Sequence, residues 1–212
     1  MTARWVGNRE WAGLTPIFLS EMSYFDSDRE RVTGQRLYNE FGLTKPMNWT
    51  AGFLQPTVKY RSVAYELDRP FTDIKNSPNA GSLMASLDGG LIFERQTSFF
   101  GQSMTQTLEP RLYYLYSQYE EQIFQPDFDT AELTFSYGQL FRDTRFSGND
   151  RLDDANQLSV GVTSRYFDNE TGEEKLSASL GQIYYFRDRE VRLNAFDPVL
   201  AENTSPLAGE FS

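Results

Sequence analysis

Few residue types in this 212-residue chain could carry out chemistry, because it contains neither histidine nor cysteine. Histidine-based acid–base catalysis, Ser-His triads, thiolate chemistry and metal sites built from His or Cys are therefore excluded. Two carboxylate pairs remain, Asp153 with Asp154 and Glu120 with Glu121. Each pair joins sequence neighbours in a loop, and such neighbours rarely converge on one substrate. The sequence predicts that the chain has no catalytic residues and is not an enzyme.

Two acidic clusters, residues 26–30 and 150–154, contain the oxygen ligands that calcium prefers. Neither cluster has the full spacing of a calcium-binding loop, so solvated charge on a surface loop is the favoured interpretation. No glycine-rich phosphate-binding motif occurs either. The prediction is therefore no metal and no cofactor.

Period-two alternation between turn-rich breaks indicates the elements that would position any site. It predicts about seven strands, over residues 14–25, 31–43, 49–66, 81–98, 105–117, 157–167 and 174–186. Most exceed the roughly 5–6 residues of globular strands and reach the roughly 9–11 that cross a bilayer at a tilt. If the strands run up and down, the long connections all fall at one end, including the longest, residues 118–156. Short turns opposite long outer loops are typical of bacterial outer-membrane barrels.

One alternative concerns Asp88 and Gly89, which between apolar residues are a good hairpin signal. A turn there would place the long connections at opposite ends, so we interpret residues 81–98 as one strand. Gly89 and Gly90 then mark a bulge or a site of close packing. Pro56 and Pro110 lie within predicted strands, and each removes a hydrogen-bond donor from the ladder. Pairing is expected to be weaker beside them.

Alternation also assigns side chains to two faces. In residues 105–117, Leu108, Leu112 and Tyr114 point one way, which suits lipid, whereas Glu109 and Arg111 point the other way, which suits a wet lumen. The same sorting applies to three of the other predicted strands. The candidates for lumen-facing residues are Lys59, Arg61, Glu109, Arg111, Gln157 and Arg165. The predicted fold class is an all-β, antiparallel segment of a transmembrane β-barrel.

Composition leaves a second class open. The mean hydropathy of −0.55 is that of a soluble protein, and the 15% aromatic content suits either the aromatic girdles of a barrel or a Phe-rich β-sandwich core. Alternatives are therefore a soluble β-sandwich that binds carbohydrate, or another porin-like outer-membrane barrel. The net charge of −10 argues against nucleic acid as a partner. Residues 1–7 lack the apolar region of a secretory signal, so we expect the chain to be part of a longer protein.

The most distinctive segment, residues 139–165, is a charged loop that runs into a regular alternation and reads QLFRDTRFSGNDRLDDANQLSVGVTSR. Its ordered motifs are an aromatic-Arg pair at 141–142, RFSG at 145–148, DR at 150–151, DANQ at 154–157 and GVTSR at 161–165, followed by GQIYYF at 181–186. This set resembles the LptD family of lipopolysaccharide-assembly outer-membrane proteins, also called Imp or OstA. Weaker likeness extends to LEPRLYYLY at 108–116 and RLYNEFGL at 36–43, so the resemblance covers most of the chain.

The resemblance implies a part of the outer-membrane translocon that inserts lipopolysaccharide into the outer leaflet without covalent chemistry. The chain would be the middle part of the C-terminal barrel. The implied partners are the plugging lipoprotein LptE, the periplasmic Lpt bridge proteins through an N-terminal domain outside this chain, lipopolysaccharide and outer-membrane lipid.

The charged loop itself has two interpretations. Its interleaved arginines and acids could pair with one another at the surface, which contributes little stability. The resemblance implies instead an outer loop that folds inward and caps the barrel, where arginines could bind phosphates bidentately. We favour the structural cap, since long loops are usually ordered for a reason. The candidate cap residues are Arg142, Arg145, Asp150, Arg151 and Asn156.

Overall fold

The computed structural model describes residues 1–6, 13–27, 32–68, 76–99, 101–194 and 196–212. Residue 31 of the predicted strand 31–43 lies outside these ranges, as do residues 28–30 of the first acidic cluster. The strands are β1 (Thr2–Val6), β2 (Thr15–Phe25), β3 (Gly34–Thr44), β4 (Met47–Trp49), β5 (Gly52–Leu67), β6 (Asn79–Leu91), β7 (Phe93–Phe99), β8 (Gln102–Ser117), β9 (Ala155–Asp168), β10 (Glu174–Tyr185) and β11 (Ala208–Phe211). Within the described ranges there is one 3₁₀ helix, Tyr137–Phe141, and no α-helix. None of the described residues forms a helix long and apolar enough to cross a bilayer.

All eleven strands belong to one sheet, and every pairing is antiparallel. The order across the sheet is β1-β2-β3-β5-β6-β8-β9-β10-β11, with β4 beside β5 and β7 beside β8. The predicted all-β, antiparallel class is therefore confirmed. The sheet is open, with β1 and β11 at its edges. A β-sandwich would need a second sheet, and the described residues form only this one.

Three short strands, β1, β4 and β11, are absent from the prediction. They have three to five residues, which is too short for alternation to be recognised. The predicted stretch 81–98 holds two strands, β6 and β7, interrupted at Ile92. Both pair with β8 in one unbroken register, since Gly90 faces Arg111 and Phe93 faces Leu108. The chain does not turn at Asp88, and the interruption lies near Pro110, which has no N–H to donate.

The two faces of the sheet differ in burial. In β5, Arg61, Val63 and Tyr65 are buried, whereas Val58 and Tyr60 are about half exposed. The same alternation runs through β8 and β9. We call the buried side the inner face and the opposite side the outer face. The outer face carries exposed large apolar side chains, among them Leu87, Leu112, Tyr114, Val162 and Leu180.

Two irregular segments cover the inner face. The first, residues 118–154, is called the cap loop; it ends two residues before the predicted limit because β9 begins at Ala155. The second, residues 186–207, is called the C-terminal segment. The cap loop folds on itself, since Leu133 and Ser147 donate backbone hydrogen bonds to Arg145 and Ala131. Three apolar residues of the loop are buried, Leu140, Phe146 and Leu152, and Leu140 and Leu152 pack in clusters with residues of the sheet.

Antiparallel order places both segments at the same end of the strands. The chain also turns back at this end between β2 and β3 and between β5 and β6. The opposite end holds the turns that join β4 to β5, β7 to β8 and β9 to β10. The longest connection thus leaves and re-enters the sheet at one end, and from there it packs against the inner face.

Candidate functional site: the capped inner face

A buried arginine in β3 is the first anchor of the cap loop. Arg36 is 1% exposed, and its Nη1 donates to Asp150 at 2.7 Å and to Asp129 at 2.5 Å. Its Nη2 donates to Glu21 of β2 at 3.0 Å. A buried guanidinium is costly unless acceptors surround it. Two carboxylates from the cap loop and one from the sheet supply them, so the ion cluster joins the loop to the sheet.

Asp150 is the centre of this anchor and is fully buried. Its two oxygens accept five hydrogen bonds, from Arg36, the Tyr65 hydroxyl, the Phe128 and Asp129 N–H groups and the Thr130 hydroxyl. Burial would raise the pKa of the Asp150 carboxyl, but the Asp129 N–H, Arg36 and the Phe128 N–H hold it below its ordinary value. The acid is therefore held as a carboxylate. Within the described residues no three acids gather around a possible metal ion.

Two predicted lumen residues form the second anchor. The Lys59 Nζ lies 2.9 Å from Asp143 of the cap loop and 3.0 Å from Glu40 of β3. Arg61, which is 4% exposed, donates through Nη2 to the Asp153 carbonyl at 3.3 Å and to the hydroxyl of Ser117 at 2.8 Å. Both cations extend from β5 towards the loop. The inner face of the C-terminal half of β5 thus binds the cap loop.

A pair of glycines forms the third anchor. Gly161 of β9 and Gly181 of β10 are direct partners on the inner face, and we call them the glycine seat. A Cβ atom at Gly161 would lie 2.7 Å from the Phe141 ring, and one at Gly181 would lie 2.6 Å from Leu140. The 3₁₀ helix therefore rests where two strands lack side chains. Arg111 covers the same helix, with its guanidinium 4.1 Å from the centre of the Phe141 ring.

The DR and DD pairs of the cap loop bind the C-terminal segment. Asp153 accepts three side-chain hydrogen bonds from Arg145, at 2.8, 3.1 and 3.3 Å, and Arg145 also donates to the Val191 carbonyl at 3.1 Å. Asp154 accepts the N–H groups of Glu190 and Val191 at 3.0 and 2.9 Å. The guanidinium of Arg151 donates to five backbone carbonyls, those of Gln125, Pro126, Asp150, Arg192 and Leu193. The two segments are thus joined into one cover.

The predicted cap residues therefore differ in position. Arg145, Asp150 and Arg151 lie inside the cover, as described above. Arg142 is exposed, and its side chain has no partner in the described part of the chain. Asn156 lies in β9 on the outer face, where it accepts the Tyr114 hydroxyl at 2.9 Å. Its placement in the cap was wrong because β9 begins at Ala155, and consecutive strand residues point to opposite faces.

The six predicted lumen residues all lie on the inner face. Arg111 pairs with Asp88 at 2.6 Å, and Arg165 lies 3.3 Å from Glu109 and 2.9 Å from Glu174. These pairs are only partly covered, whereas Lys59, Arg61 and Gln157 lie under the cap loop. Whether this face lines a lumen remains a prediction.

Several anchoring residues were missed by the sequence analysis. Asp129 and Asp143 stand in the cap loop without a motif that distinguishes them from its other acids. Arg36 has a weak signal, since it begins the RLYNEFGL segment and is the one cation in a strand with apolar Leu37 and Phe41. Its partner lies 114 residues away in the chain, so the pairing itself has no local signal.

Comparison with known proteins identifies the family of this chain. The sequence profile of the family described as LptD: LPS transport system D matches residues 1–212, the whole chain. The chain belongs to the LptD family. The LPS-assembly protein LptD of Xanthomonas campestris pv. campestris (strain 8004) is 49% identical over 172 residues, covering 79% of this chain and 21% of that protein. The LPS-assembly protein LptD of Hahella chejuensis (strain KCTC 2396) is 42% identical over 199 residues, covering 90% of this chain and 25% of that protein.

A third LptD relative, from Ectopseudomonas mendocina (strain ymp), is 44% identical over 184 residues, covering 79% of this chain and 20% of the relative. The chain therefore spans about a fifth to a quarter of the length of these curated LptD relatives. The motifs that resemble the family include the DR pair of the first anchor, the DANQ segment and both glycines of the seat.

Acid should weaken the cap loop. The folded-state pKa of Asp150 and that of Asp143, where burial is outweighed by Lys59, are both below the ordinary value. Each carboxylate thus stabilises the cover above about pH 4, and this stability is lost as the pH falls further. We expect amide hydrogen exchange of the cap loop, corrected for intrinsic rates, to accelerate at about pH 3. Exchange in β8 and β9 is the internal control, and unchanged protection of the loop would contradict the assignment.

Proposed function

We propose that the chain is a wall segment of the outer-membrane translocon that inserts lipopolysaccharide into the outer leaflet, without covalent chemistry. The observation that carries this proposal is the difference between the two faces of long strands. Each of β2, β3, β5, β8, β9 and β10 has 11 to 16 residues, which meets the roughly 9–11 needed to cross a bilayer. The transport role is supported by the family, which is described as an LPS transport system, and by relatives named as LPS-assembly proteins.

The outer face suits lipid. Soluble proteins rarely expose large contiguous apolar patches, yet Leu112 is 53% exposed, Val58 51% and Leu180 47%. They stand on three different strands of the sheet. In a bilayer, hydrocarbon would cover this surface. The strand edges at β1 and β11 would then pair with neighbouring strands, because an unpaired edge in lipid is costly. This supports a place in the middle of a larger, C-terminal barrel.

The inner face suits a lumen closed at one end. The cap loop and the C-terminal segment lie at the end with long connections, which is the outer end in bacterial barrels. The uncovered part of the inner face carries partly exposed charges at Glu109, Arg165 and Glu174. This polar surface is where the lipoprotein plug LptE would make contact. The periplasmic bridge proteins would act through a domain outside this chain, and lipopolysaccharide and outer-membrane lipid are the remaining partners.

Reversing the charge of Arg111 in the full-length protein tests the proposal. Arg111→Glu would face Asp88 with a like charge and would lose the contact with Phe141. We expect raised permeability of the outer membrane to large antibiotics and less lipopolysaccharide at the cell surface, in cells that depend on the variant. Lys175→Glu is the matched control, because Lys175 makes only an exposed pair with Glu173. Normal permeability with Arg111→Glu would count against a role of the inner face in transport.

A further inference from the structure

A cavity of about 170 Å³ lies between the cap loop, the inner face and the C-terminal segment. It is far larger than the ~10–15 Å³ that one water occupies and smaller than the ~300 Å³ of sites for drug-sized ligands. The floor is buried and consists of Leu115, Gln157 and Ile183, which are 2%, 7% and 5% exposed. The mouth is formed by exposed Glu132, Phe135 and Arg142. The cavity is therefore closed at the wall and open at the surface of the cap loop.

Not every polar group that lines this cavity has a partner within the described residues. No hydrogen bond joins the buried Gln157 amide to any other group in the described residues. The Nε of Arg189, another lining residue that is 5% exposed, also has no partner among them. The Gln157 amide keeps some exposure through the cavity, so its hydrogen bonds are left to whatever fills that space. Gln157 is thus the feature that points to a ligand.

The charges of the lining are largely neutralised. Arg145 pairs with Asp153, and Arg189 pairs with Glu202 at 3.0 Å. Arg142 at the mouth is the remaining cation without a partner in the described part of the chain, and the acid Glu132 also lines the mouth. A phosphate would need several converging cations. Because most cations of the lining are paired with acids, the cavity does not suit a phosphate. A neutral ligand, or one with a single acidic group, fits better.

The other lining groups indicate the class of ligand. Gln139 and Gln157 each present an amide, which both donates and accepts hydrogen bonds. Phe135 adds an apolar ring to the lining, and Tyr185 adds the part of its ring that Arg189, 3.5 Å from the ring centre, leaves uncovered. A ligand that matches must be compact, must carry donors and acceptors around its edge, and must have faces of C–H groups. A pyranose ring has these properties.

We propose that this cavity binds a single pyranose sugar unit, with Gln157 as the buried group that recognises its hydroxyls. The sugar could be free or could be part of a larger saccharide such as lipopolysaccharide. Only the second source rests on the proposed function. The binding chemistry is the same in both cases.

The test uses the full-length protein in detergent, titrated with glucose and with galacturonic acid and followed by saturation-transfer NMR. Because the cavity is small and part of it is open, we expect dissociation constants of about 1 mM. Gln157→Leu, which keeps size and removes the amide, should weaken both sugars at least tenfold. Gln118→Leu is the matched control, since Gln118 is an exposed residue at the start of the cap loop that does not line the cavity. Arg142→Gln should weaken galacturonic acid but not glucose.

Circular dichroism checks that each variant is folded. If Gln157→Leu does not fold, Gln139→Ala is used instead. Gln139 is a partly exposed lining residue, and this variant also removes an amide from the cavity. Absence of binding by the unaltered protein, or equal binding by Gln157→Leu, would overturn the proposal. Titration with lipopolysaccharide and with its delipidated saccharide then separates the two sources. Sugar binding is measured on purified protein and transport in cells, so either proposal can fail while the other stands.

Discussion

Asp150→Asn will detach the cap loop from the wall. The amide keeps the shape of the side chain, but it removes the charge that faces buried Arg36 and places N–H groups against donors. Removing one partner of a fully buried ion pair costs about 3–5 kcal/mol. The side chains of both Asp150 and Arg36 are fully covered, but Asp129 and Glu21 still pair with Arg36, so we expect a cost at the lower end of this range. Hydrogen-exchange protection of the cap loop should fall by at least about 100-fold.

The control for this variant is Asp188→Asn, which makes the same chemical change at an exposed position of the C-terminal segment. It should leave the protection of the cap loop unchanged. If both variants behave alike, the ion cluster around Arg36 does not hold the loop. The exchange of β8 and β9 should be preserved in both, because their ladder does not involve Asp150.

Gly161→Ala will also destabilise the cover, although alanine is normally the better residue in a strand by about 0.5–1 kcal/mol. The new Cβ would lie 2.7 Å from the Phe141 ring and 2.9 Å from the hydroxyl of Tyr137. The 3₁₀ helix must then move off the glycine seat, and overpacking of this kind costs about 1–3 kcal/mol. Limited proteolysis within the cap loop should become faster.

Gly209→Ala is the matched control for the seat. Gly209 lies in β11, and a Cβ there would be no closer than 3.7 Å to its neighbours. This variant should keep or slightly increase resistance to proteolysis. The two identical substitutions are therefore expected to have effects of opposite sign, and a stabilising effect of Gly161→Ala would refute the seat.

The sequence predicts structure well where the physical rule involves only residues that are close together in the chain. Side chains alternate with a period of two, so Glu109 and Arg111 could be assigned to one face from their positions alone. Alternation does not fix where a strand begins. The predicted strand began at residue 157, whereas β9 begins at Ala155, so Asn156 lies in β9 and not in the cap loop. Alternation cannot indicate which cation meets which acid. The Arg36 and Asp150 side chains meet across 114 residues, and no local pattern predicts that contact.

The glycine seat shows the same limit in another form. Both glycines belong to motifs that could be recognised in the sequence, yet their common role depends on the register that makes Gly161 and Gly181 direct partners. It also depends on the path of a loop that begins more than 40 residues before Gly161. The sequence therefore showed the two motifs, but only the structure shows why each of them contains a glycine.

The large sequence separation between Arg36 and Asp150 affects the order in which the parts of the protein fold. Neighbouring strands such as β4 and β5, or β9 and β10, can pair outwards from short turns, because contacts between nearby residues close small loops. The cap loop has no binding surface until β3, β5, β8, β9 and β10 stand side by side. Its closure is thus expected to be the last folding event of this region. Until then the polar inner face of the assembling sheet is uncovered, and the cap loop can close only on a completed sheet.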